Sequence, residues 1–344
     1  MTTATRAQAA AVTDLAAPGD GTERVREFLD TFEKLKAGIG TTIVGHDRVV
    51  EQMLVCLFTG GHALIEGLPG LGKTRMIQAL CGCLGVDLAR IQFTPDLMPA
   101  DIIGSDVIAD LDSGRELRFQ PGPVFGQILL ADEINRATPK TQSALLEAMQ
   151  EHAVTVGGKR HPLPRPFFVL ATQNPIEIDG TYPLPEAQID RFMLKLTVGA
   201  PAATEIAEII DRTTGRKEPA GTQVTGIDEV ERLKLLVRDV LVPSEVKEHV
   251  AGLILATHPD SEGAPSSVKR FVRYGASPRG AQALVLAGKV GALLDGRFNV
   301  SLRDVNAMVP PSLRHRIILN FEAEAEGITT DAILEDVVRQ GESG

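Results

Sequence analysis

The sequence predicts a parallel α/β domain followed by a smaller, all-helical domain, and three observations lead to this prediction. Five short apolar runs, typical of buried parallel strands, alternate with helical patterns over the first 200 residues. The first run leads through a glycine-rich turn into a helix, as in a βα unit. After Pro201 the strand-like runs stop, while helical periodicity continues. The length of 344 residues also favours two domains, since about 150 residues is typical of one.

The elements of the first part follow from their apolar spacing. A helix is predicted over residues 22–36, with Gly38 and Gly40 predicted to end it, and a second helix runs from Asp47 to the Gly60-Gly61 pair. The predicted strands cover residues 62–66, 89–93, 127–131, 166–172 and 192–198, and the helices between them cover 74–84 and 139–151.

The second part is predicted to contain helices and loops only. Helical periodicity covers residues 205–211, 228–241, 244–257, 278–294 and further segments to 338. The polar stretch 213–226, rich in Gly and Thr, predicts a loop. The domain prediction is therefore a disordered tail at 1–20, an α/β core at 21–200 and a helical domain at 201–344.

Composition and charge argue against several classes of protein. The net charge of −10 argues against a protein that coats nucleic acid or anionic lipid through its overall field. No apolar run approaches the ~18 residues of a membrane span, so no membrane insertion is predicted. Three cysteines form a sparse, odd-numbered set that fits a reducing compartment, and a cytoplasmic location is predicted. Cys81 and Cys83 are interpreted as buried side chains, because a metal site would need two further ligands.

A phosphate-binding motif follows the first predicted strand. It reads Gly67-Leu68-Pro69-Gly70-Leu71-Gly72-Lys73-Thr74 and satisfies G-x-x-x-x-G-K-[ST] between a strand and a helix, the context that this motif requires. Glycines let backbone N–H groups converge on a phosphate at a helix N-terminus. Lys73 is predicted to neutralise β- and γ-phosphate oxygens of ATP, and the Thr74 hydroxyl is predicted to bind Mg²⁺.

Two further strands end in polar side chains. The run 127–131 is followed by Asp132, predicted to meet Mg²⁺ through water, and by Glu133, predicted to polarise the attacking water. Taken alone, these acids could simply cap a strand. Asn174 follows the strand at 166–172, where its amide could bind the γ-phosphate and the attacking water, although an Asn before Pro is also a common turn former.

On these motifs the sequence resembles the AAA+ ATPases and, within them, the MoxR family. The resemblance extends over nearly the whole chain after the tail. Its most specific blocks are residues 90–97, 122–136, 141–151, 171–177, 181–188, 190–192 and 275–279. It implies a P-loop AAA+ domain, with a parallel sheet covered by helices, followed by a smaller all-α helical lid domain.

The resemblance implies roles for four more residues. Arg191 matches the arginine finger, which reaches the γ-phosphate bound by a neighbouring subunit, and Arg279 matches sensor 2, which contacts the nucleotide of its own subunit. Arginine suits both roles, because its planar fork matches phosphate oxygens. Val44 and Gly45 lie where AAA+ proteins contact adenine.

Two predicted hairpins place the sequence in the branch of AAA+ proteins that includes magnesium chelatase motor subunits, in which such elements face the ring pore. One covers residues 103–119, with its tip at 112–114, and the other covers 154–160, with its turn at Gly157-Gly158. Near the second lies a basic cluster of Lys159, Arg160, His161 and Arg165. It could engage an acidic partner segment or nucleic acid, or it could be a solvated hairpin; its lack of aromatic residues disfavours nucleic acid.

The function implied by the resemblance is Mg²⁺-dependent ATP hydrolysis by a ring of identical subunits, with a hexamer expected. In this family hydrolysis remodels or activates client proteins, often metalloenzymes, with a partner that contains a von Willebrand factor A domain. The alternatives are a magnesium chelatase-like motor subunit, a DNA-acting AAA+ ring, which the acidic charge disfavours, and an ATP-bound scaffold that does not turn over.

Overall fold

The computed structural model describes residues 21–111, 114–175, 181–215 and 222–343. The strands are β1 (Ala63–Gly67), β2 (Leu88–Gln92), β3 (Gly104–Leu111), β4 (Gly114–Pro121), β5 (Ile128–Asp132), β6 (Ala153–Val156), β7 (Lys159–Pro162), β8 (Phe168–Gln173), β9 (Leu194–Val198), β10 (Val272–Tyr274) and β11 (Ile318–Leu319). The helices are α1 (Gly21–Thr42), α2 (Asp47–Thr59), α3 (Lys73–Leu84), α4 (Pro99–Ile103), α5 (Pro139–Glu151), α6 (Glu186–Ile189), α7 (Ala203–Thr213), α8 (Ile227–Asp239), α9 (Ser244–Ala256), α10 (Ser266–Phe271), α11 (Pro278–Leu294), α12 (Leu302–Leu313), α13 (Phe321–Glu326) and α14 (Thr330–Ser343).

The main sheet of the described residues has five parallel strands in the order β2-β5-β8-β1-β9, which confirms the five predicted strands. Central strands are apolar throughout because helices cover both faces of the sheet. β1 lies between β8 and β9, and β5 lies on the other side of β8. Parallel strands end at the same edge, so the residues that follow β1, β5 and β8 meet there.

Helix α1 is longer than predicted. It continues through Gly38 and Gly40 to Thr42, so the prediction that these glycines end the helix is wrong. Gly38 serves close packing instead: a Cβ added there would lie 2.8 Å from Cys83 Sγ and 2.9 Å from Val224 Cγ2. A contact between segments so distant in sequence cannot be read from local spacing.

The second part is mainly helical, as predicted, and α11 packs between α8, α9 and α12 in its core. It also contains the antiparallel pair β10-β11 and an isolated bridge between Leu241 and Asn299, which the sequence analysis did not predict. These strands have three and two residues, too few to produce a detectable alternation.

The two predicted hairpins are formed by β3-β4 and β6-β7. Part of the first predicted tip, residues 112 and 113, lies outside the described residues. The hairpins contact each other: the rings of Phe119 and His161 stack with centroids 3.9 Å apart, and Gly157 approaches Asp106. An aromatic residue from the other hairpin thus joins the basic cluster, which the sequence analysis did not anticipate.

All three cysteines are buried free thiols, as interpreted for Cys81 and Cys83. Burial raises the pKa of the Cys81 thiol to about 12. Among the described residues, none of the helices has the length and hydropathy needed to cross a membrane.

Candidate active site

The loop between β1 and α3 has the backbone shape of a phosphate-binding loop. Gly70 and Gly72 adopt φ values of +80° and +78°, in the left-handed region that favours glycine, and open space surrounds both. Gly67 ends β1 against β9, where a Cβ would lie 2.8 Å from the Val198 carbonyl oxygen. Helix α3 begins at Lys73, so its first N–H groups and the positive end of its dipole lie at the loop.

A cleft of about 520 Å³ opens at this loop, within the size range of ligand sites. The lining residues are Pro69, Gly70, Gly72, Lys73, Thr74, Arg75, Gln78, Asp132, Glu133, Thr172 and Asn174. The cleft therefore joins the glycine-rich loop to the predicted acidic and amide side chains of two other strands. Of the remaining loop residues, Leu71 packs against the hydrophobic core, and Gly67 contributes its carbonyl group.

Lys73 lies partly buried between this carbonyl and the acids. Its Nζ donates a hydrogen bond to the Gly67 carbonyl oxygen. Burial lowers the pKa of Lys73, while the charges of Asp132, Glu133 and Glu66 oppose this shift. Among the described residues, no carboxylate forms an ion pair with Lys73, so its ammonium group is well placed to receive phosphate oxygens.

Asp132 ends β5 and is held by two neighbouring strands. Its Oδ1 accepts a hydrogen bond from Thr172 Oγ1 at 2.7 Å, and its Oδ2 pairs with Arg90 Nη2 at 2.7 Å. Thr172 lies on β8 and Arg90 on β2, so the sheet order itself positions the carboxylate.

Glu133 has a strained backbone and a restrained side chain. Its φ is 55°, uncommon for a residue with a side chain, and its N–H donates to Thr172 Oγ1 at 2.8 Å. Its Oε2 accepts hydrogen bonds of 3.0 Å from Gln92 Nε2 and from Arg136 Nη1. Such backbone strain occurs at functional sites, where surrounding contacts maintain it.

Asn174 lies directly after β8 and is only 5% exposed. It lines the cleft on the β8 side, together with Thr172 and residues of the glycine-rich loop. A buried amide can present a donor and an acceptor to a ligand at the same place.

Arg191 and Arg279 do not lie in this cleft. Both line a second cavity, of about 220 Å³, which shares none of its lining residues with the cleft. Arg191 Nη1 donates to the Leu146 carbonyl oxygen at 2.7 Å, and Arg279 Nη1 lies 3.5 Å from Asp190 Oδ2. The resemblance implied that Arg279 contacts the nucleotide of its own subunit; in this structure it lines the same cavity as Arg191.

Val44 and Gly45 also lie outside the residues that line the cleft. Val44 is buried, and Gly45, with a φ of +70°, packs against the carboxylate of Glu205 on α7. This contact joins the segment before α2 to the first helix of the second part. Arg212, also on α7, strengthens the junction with hydrogen bonds to the carbonyl oxygens of Gly40 and Thr41.

Four residues that support the two acids were not predicted from the sequence. They are Arg90 and Gln92 on β2, Arg136 after β5, and Thr172 on β8. The β2 pair had one usable signal, because polar residues at alternate positions of a strand share one face. Thr172 carried no signal, since a threonine is ordinary in a buried strand.

A glycine-rich phosphate loop, a lysine and paired acids at the carboxyl edge of a parallel sheet define the class of P-loop ATPases. Comparison with known proteins agrees: residues 62–194 match the model of the ATPase family associated with various cellular activities (AAA), and residues 265–337 match the AAA lid domain. The chain belongs to the MoxR family of AAA+ ATPases.

Three relatives illustrate this membership. The chain is 41% identical to Chaperone MoxR1 of Mycobacterium tuberculosis over 324 residues, which cover 94% of this chain and 85% of the relative. It is 32% identical to protein MoxR of Paracoccus denitrificans over 325 residues, or 86% and 92% of the two chains. A crystal structure of a candidate ATPase from Cytophaga hutchinsonii superposes with a TM-score of 0.85 at 37% identity, over 92% of this chain and 96% of the other.

Proposed function

We propose that the chain hydrolyses ATP with Mg²⁺ in sites shared between neighbouring subunits of a ring, and uses the energy to remodel client proteins. The observation that carries this proposal is the convergence of Lys73, Thr74, Asp132, Glu133 and Asn174 on one cleft. Lys73 and the first N–H groups of α3 would bind the β- and γ-phosphates, where the helix dipole favours anions.

The residues present fit a magnesium ion. The Thr74 hydroxyl and the Asp132 carboxylate offer oxygen donors in the cleft, and Mg²⁺ prefers a few protein oxygens completed by phosphates and water. When bound, the ion supplies neutralisation of charge on the phosphate oxygens. Thr172 would hold Asp132 in place for this task, while the Arg90 guanidinium would compete with the ion for the same carboxylate.

Glu133 would act as the general base. A carboxylate can orient a water molecule and accept its proton as the water attacks the γ-phosphate. Gln92 and Arg136 fix the position of the Glu133 carboxylate, and Asn174 would hold the γ-phosphate and the water from the β8 side. In this scheme Glu133→Gln retains ATP binding and loses hydrolysis, whereas Lys73→Ala loses binding.

The positions of Arg191 and Arg279 support a site completed by a second subunit. Both are separated from the cleft of their own chain, so we propose that both reach the nucleotide of the neighbour. Head-to-tail contacts form a ring when the rotation between subunits closes, and we propose a hexameric ring. The ATPase rate per subunit should then fall on dilution as the ring dissociates; a constant rate down to monomeric protein would contradict the proposal.

The domain boundaries are part of the proposal: a tail at 1–20, an AAA+ core at 21–200 and a lid at 201–344. The matches at 62–194 and 265–337 fall within the core and the lid respectively, which supports this division. We also propose that Val44 and Gly45 contact adenine, supported by their place beside α7 at the junction of core and lid.

A role in client remodelling is supported by the relative named a chaperone and by the β3-β4 hairpin. Ile108 and Leu117 face each other across this hairpin and are 69% and 71% exposed, so they offer an apolar contact to a client protein. We propose a cytoplasmic complex with a von Willebrand factor A domain partner and a client such as a metalloenzyme.

Affinity purification from the native cells tests the client role. Glu133→Gln serves as bait because it should retain ATP, and Lys73→Ala serves as the nucleotide-free control. Co-purification of a von Willebrand-type protein and a client only with Glu133→Gln would support the proposal. Enrichment of tetrapyrrole-pathway subunits or of DNA would overturn the client role, while the ATPase site would stand.

A further inference from the structure

The second cavity concentrates positive charge around one carboxylate. Arg191, Arg238, Arg279 and Arg316 line it, and Asp190 is the only acidic residue among the described ones that do so. Guanidinium groups that share one cavity repel one another unless an anion lies between them. Two of the four side chains, Arg279 and Arg316, pair with Asp190.

Asp190 binds three side chains of the helical part. Its Oδ1 accepts a hydrogen bond from Arg316 Nε at 2.8 Å, and its Oδ2 lies 3.5 Å from Arg279 Nη1. Ser277 Oγ lies 2.9 Å and 3.0 Å from the two carboxylate oxygens. The Asp190 and Arg316 side chains are only 17% and 3% exposed, so their charge-assisted pair is stronger than a surface pair, whereas the Arg279 side chain is 44% exposed.

Arg316 extends the same cluster to the backbone around Arg191. Its side chain is 3% exposed, and its Nη2 donates to the carbonyl oxygens of Asp190 at 3.1 Å and Phe192 at 2.8 Å, on either side of Arg191. Burial lowers the pKa of Arg316, while the charge of Asp190 opposes the shift. A planar fork of donors is needed for this arrangement, which lysine lacks.

Ser277 connects the cluster to Arg279. It is the N-cap of α11, where its Oγ accepts a hydrogen bond from the Arg279 N–H at 3.2 Å while it donates to Asp190. One carboxylate thus joins the segment that carries Arg191 to the first turn of the helix that carries Arg279.

We propose that Asp190 and Arg316 are positioning residues that hold Arg191 and Arg279 as one rigid unit, so that both arginines reach the neighbour's nucleotide together. Neither Asp190 nor Arg316 needs to touch ATP. This inference rests on the proposed function, in which Arg191 and Arg279 act in the adjacent subunit's site. It also explains why a lid arginine and a core arginine share one cavity.

Asp190→Asn is the test variant, because it removes the charge and keeps one acceptor oxygen. The ATPase kcat should fall about 10- to 100-fold, the effect of a misplaced catalytic group, while the KM for ATP changes less. Asp304→Asn is the matched control. Asp304 also pairs with an arginine, Arg297, and with the N-cap serine of a lid helix, Ser301, but lines neither cavity.

Mixed rings separate positioning from folding. In a 1:1 mixture of Asp190→Asn with Glu133→Gln, about one interface in four joins an intact cleft to intact arginines, so activity should rise well above the sum of the two variants. Arg191→Ala mixed with Glu133→Gln is the reference for the proposed function. If Asp190→Asn does not fold, Ser277→Ala replaces it, with a several-fold loss of kcat and the same recovery expected.

The outcomes are distinct. The inference is supported if ATPase activity recovers when Glu133→Gln is mixed with Arg191→Ala and also when it is mixed with Asp190→Asn. The kcat of Asp304→Asn should be unchanged. The inference is overturned, and the proposed function stands, if activity recovers in the mixture with Arg191→Ala but not in the mixture with folded Asp190→Asn. A wild-type kcat for Asp190→Asn alone has the same meaning. Failure of Arg191→Ala to recover overturns both.

Discussion

Thr172 Oγ1 donates a hydrogen bond of 2.7 Å to Asp132 Oδ1. The same oxygen accepts a hydrogen bond of 2.8 Å from the N–H of Glu133. A single hydroxyl thus holds the proposed metal-binding acid and the backbone of the proposed general base, across two adjacent strands of the sheet. The spacing of the two acids in the cleft depends on this contact.

Thr172→Val should therefore impair both stability and catalysis. The substitution keeps the shape of a buried side chain, but it leaves the Glu133 N–H and an Asp132 oxygen without a partner, which costs about 1–3 kcal/mol. We expect a lower free energy of unfolding in urea and a kcat reduced about 10-fold or more. Thr172→Ser, which keeps the hydroxyl, is the control and should retain most of the activity. Equal kcat values for Thr172→Val and the wild type would show that this contact does not organise the acids.

Arg90→Ala should lower the Mg²⁺ concentration that the ATPase requires. Arg90 places a positive charge 2.7 Å from Asp132 Oδ2, which opposes binding of a cation to the same carboxylate. Because Arg90 is half exposed, its effect is limited to about 1 kcal/mol. The Mg²⁺ concentration for half-maximal ATPase activity should fall up to about fivefold. Arg24→Ala, which removes the exposed pair with Asp239, is the control and should leave this Mg²⁺ concentration unchanged. If Arg90→Ala instead raised the Mg²⁺ concentration, Arg90 would help to build the metal site.

Two glycines of α1 should respond in opposite ways to alanine. At Gly38 the new methyl group would overlap Cys83 and Val224, whereas at Gly40 nothing lies within 4 Å. Gly38→Ala should cost about 1–3 kcal/mol of stability through overpacking. Gly40→Ala should gain about 0.5–1 kcal/mol, because alanine loses less backbone entropy in a helix. Urea unfolding of both variants measures the difference, and similar midpoints would contradict the packing of α1 against α3.

Acid should destabilise the protein through His62. Its Nδ1 accepts a hydrogen bond from the Val169 N–H, and its Nε2 contacts the Met149 carbonyl oxygen, so the folded state requires the neutral ring. Burial lowers the pKa of His62 to about 4 from the usual 6.5. Because the unfolded chain binds the proton first, stability is full above pH 6.5 and falls as the pH drops toward 4, by an amount on the order of 3 kcal/mol.

The measurement for His62 is the free energy of unfolding between pH 4 and pH 7. His62→Asn should be less stable at pH 7 and should show a smaller loss of stability toward acid. His46→Gln, at the turn before α2, is the control and should keep the wild-type slope. If the free energy of unfolding of His62→Asn fell toward acid as steeply as that of the wild type, other groups would account for the acid sensitivity. One such group is the buried His315, whose pKa is also well below 6.5.

Local sequence signals predicted most of the sheet and the residues of the cleft. The glycine-rich loop and the residues after β5 and β8 could be placed because parallel strands end at one edge, which follows from chain order alone. The cavity around Asp190 could not be predicted in this way. Asp190 and Arg316 are 126 positions apart, and only the packing of the helical part brings them together. For the same reason, the place of Arg279 beside Arg191 appears only in the folded chain.

Supporting residues were hardest to predict because their types are ordinary. Gln92 and Thr172 occupy normal strand positions, and the acids that they support, Asp132 and Glu133, lie at the end of the neighbouring strand β5. Strand order, not local composition, determines these contacts. The extra strands β10 and β11 escaped prediction because they are too short for a periodic pattern.

The central claim is that one subunit supplies Lys73 and Glu133 while its neighbour supplies Arg191. Its most direct test is the ATPase rate of a 1:1 mixture of Glu133→Gln and Arg191→Ala, compared with each variant alone. We predict two nearly inactive variants whose mixture recovers about a quarter of the wild-type rate, because one interface in four then joins two intact halves. A mixture as inactive as its components, or a fully active Arg191→Ala variant, would contradict the shared site.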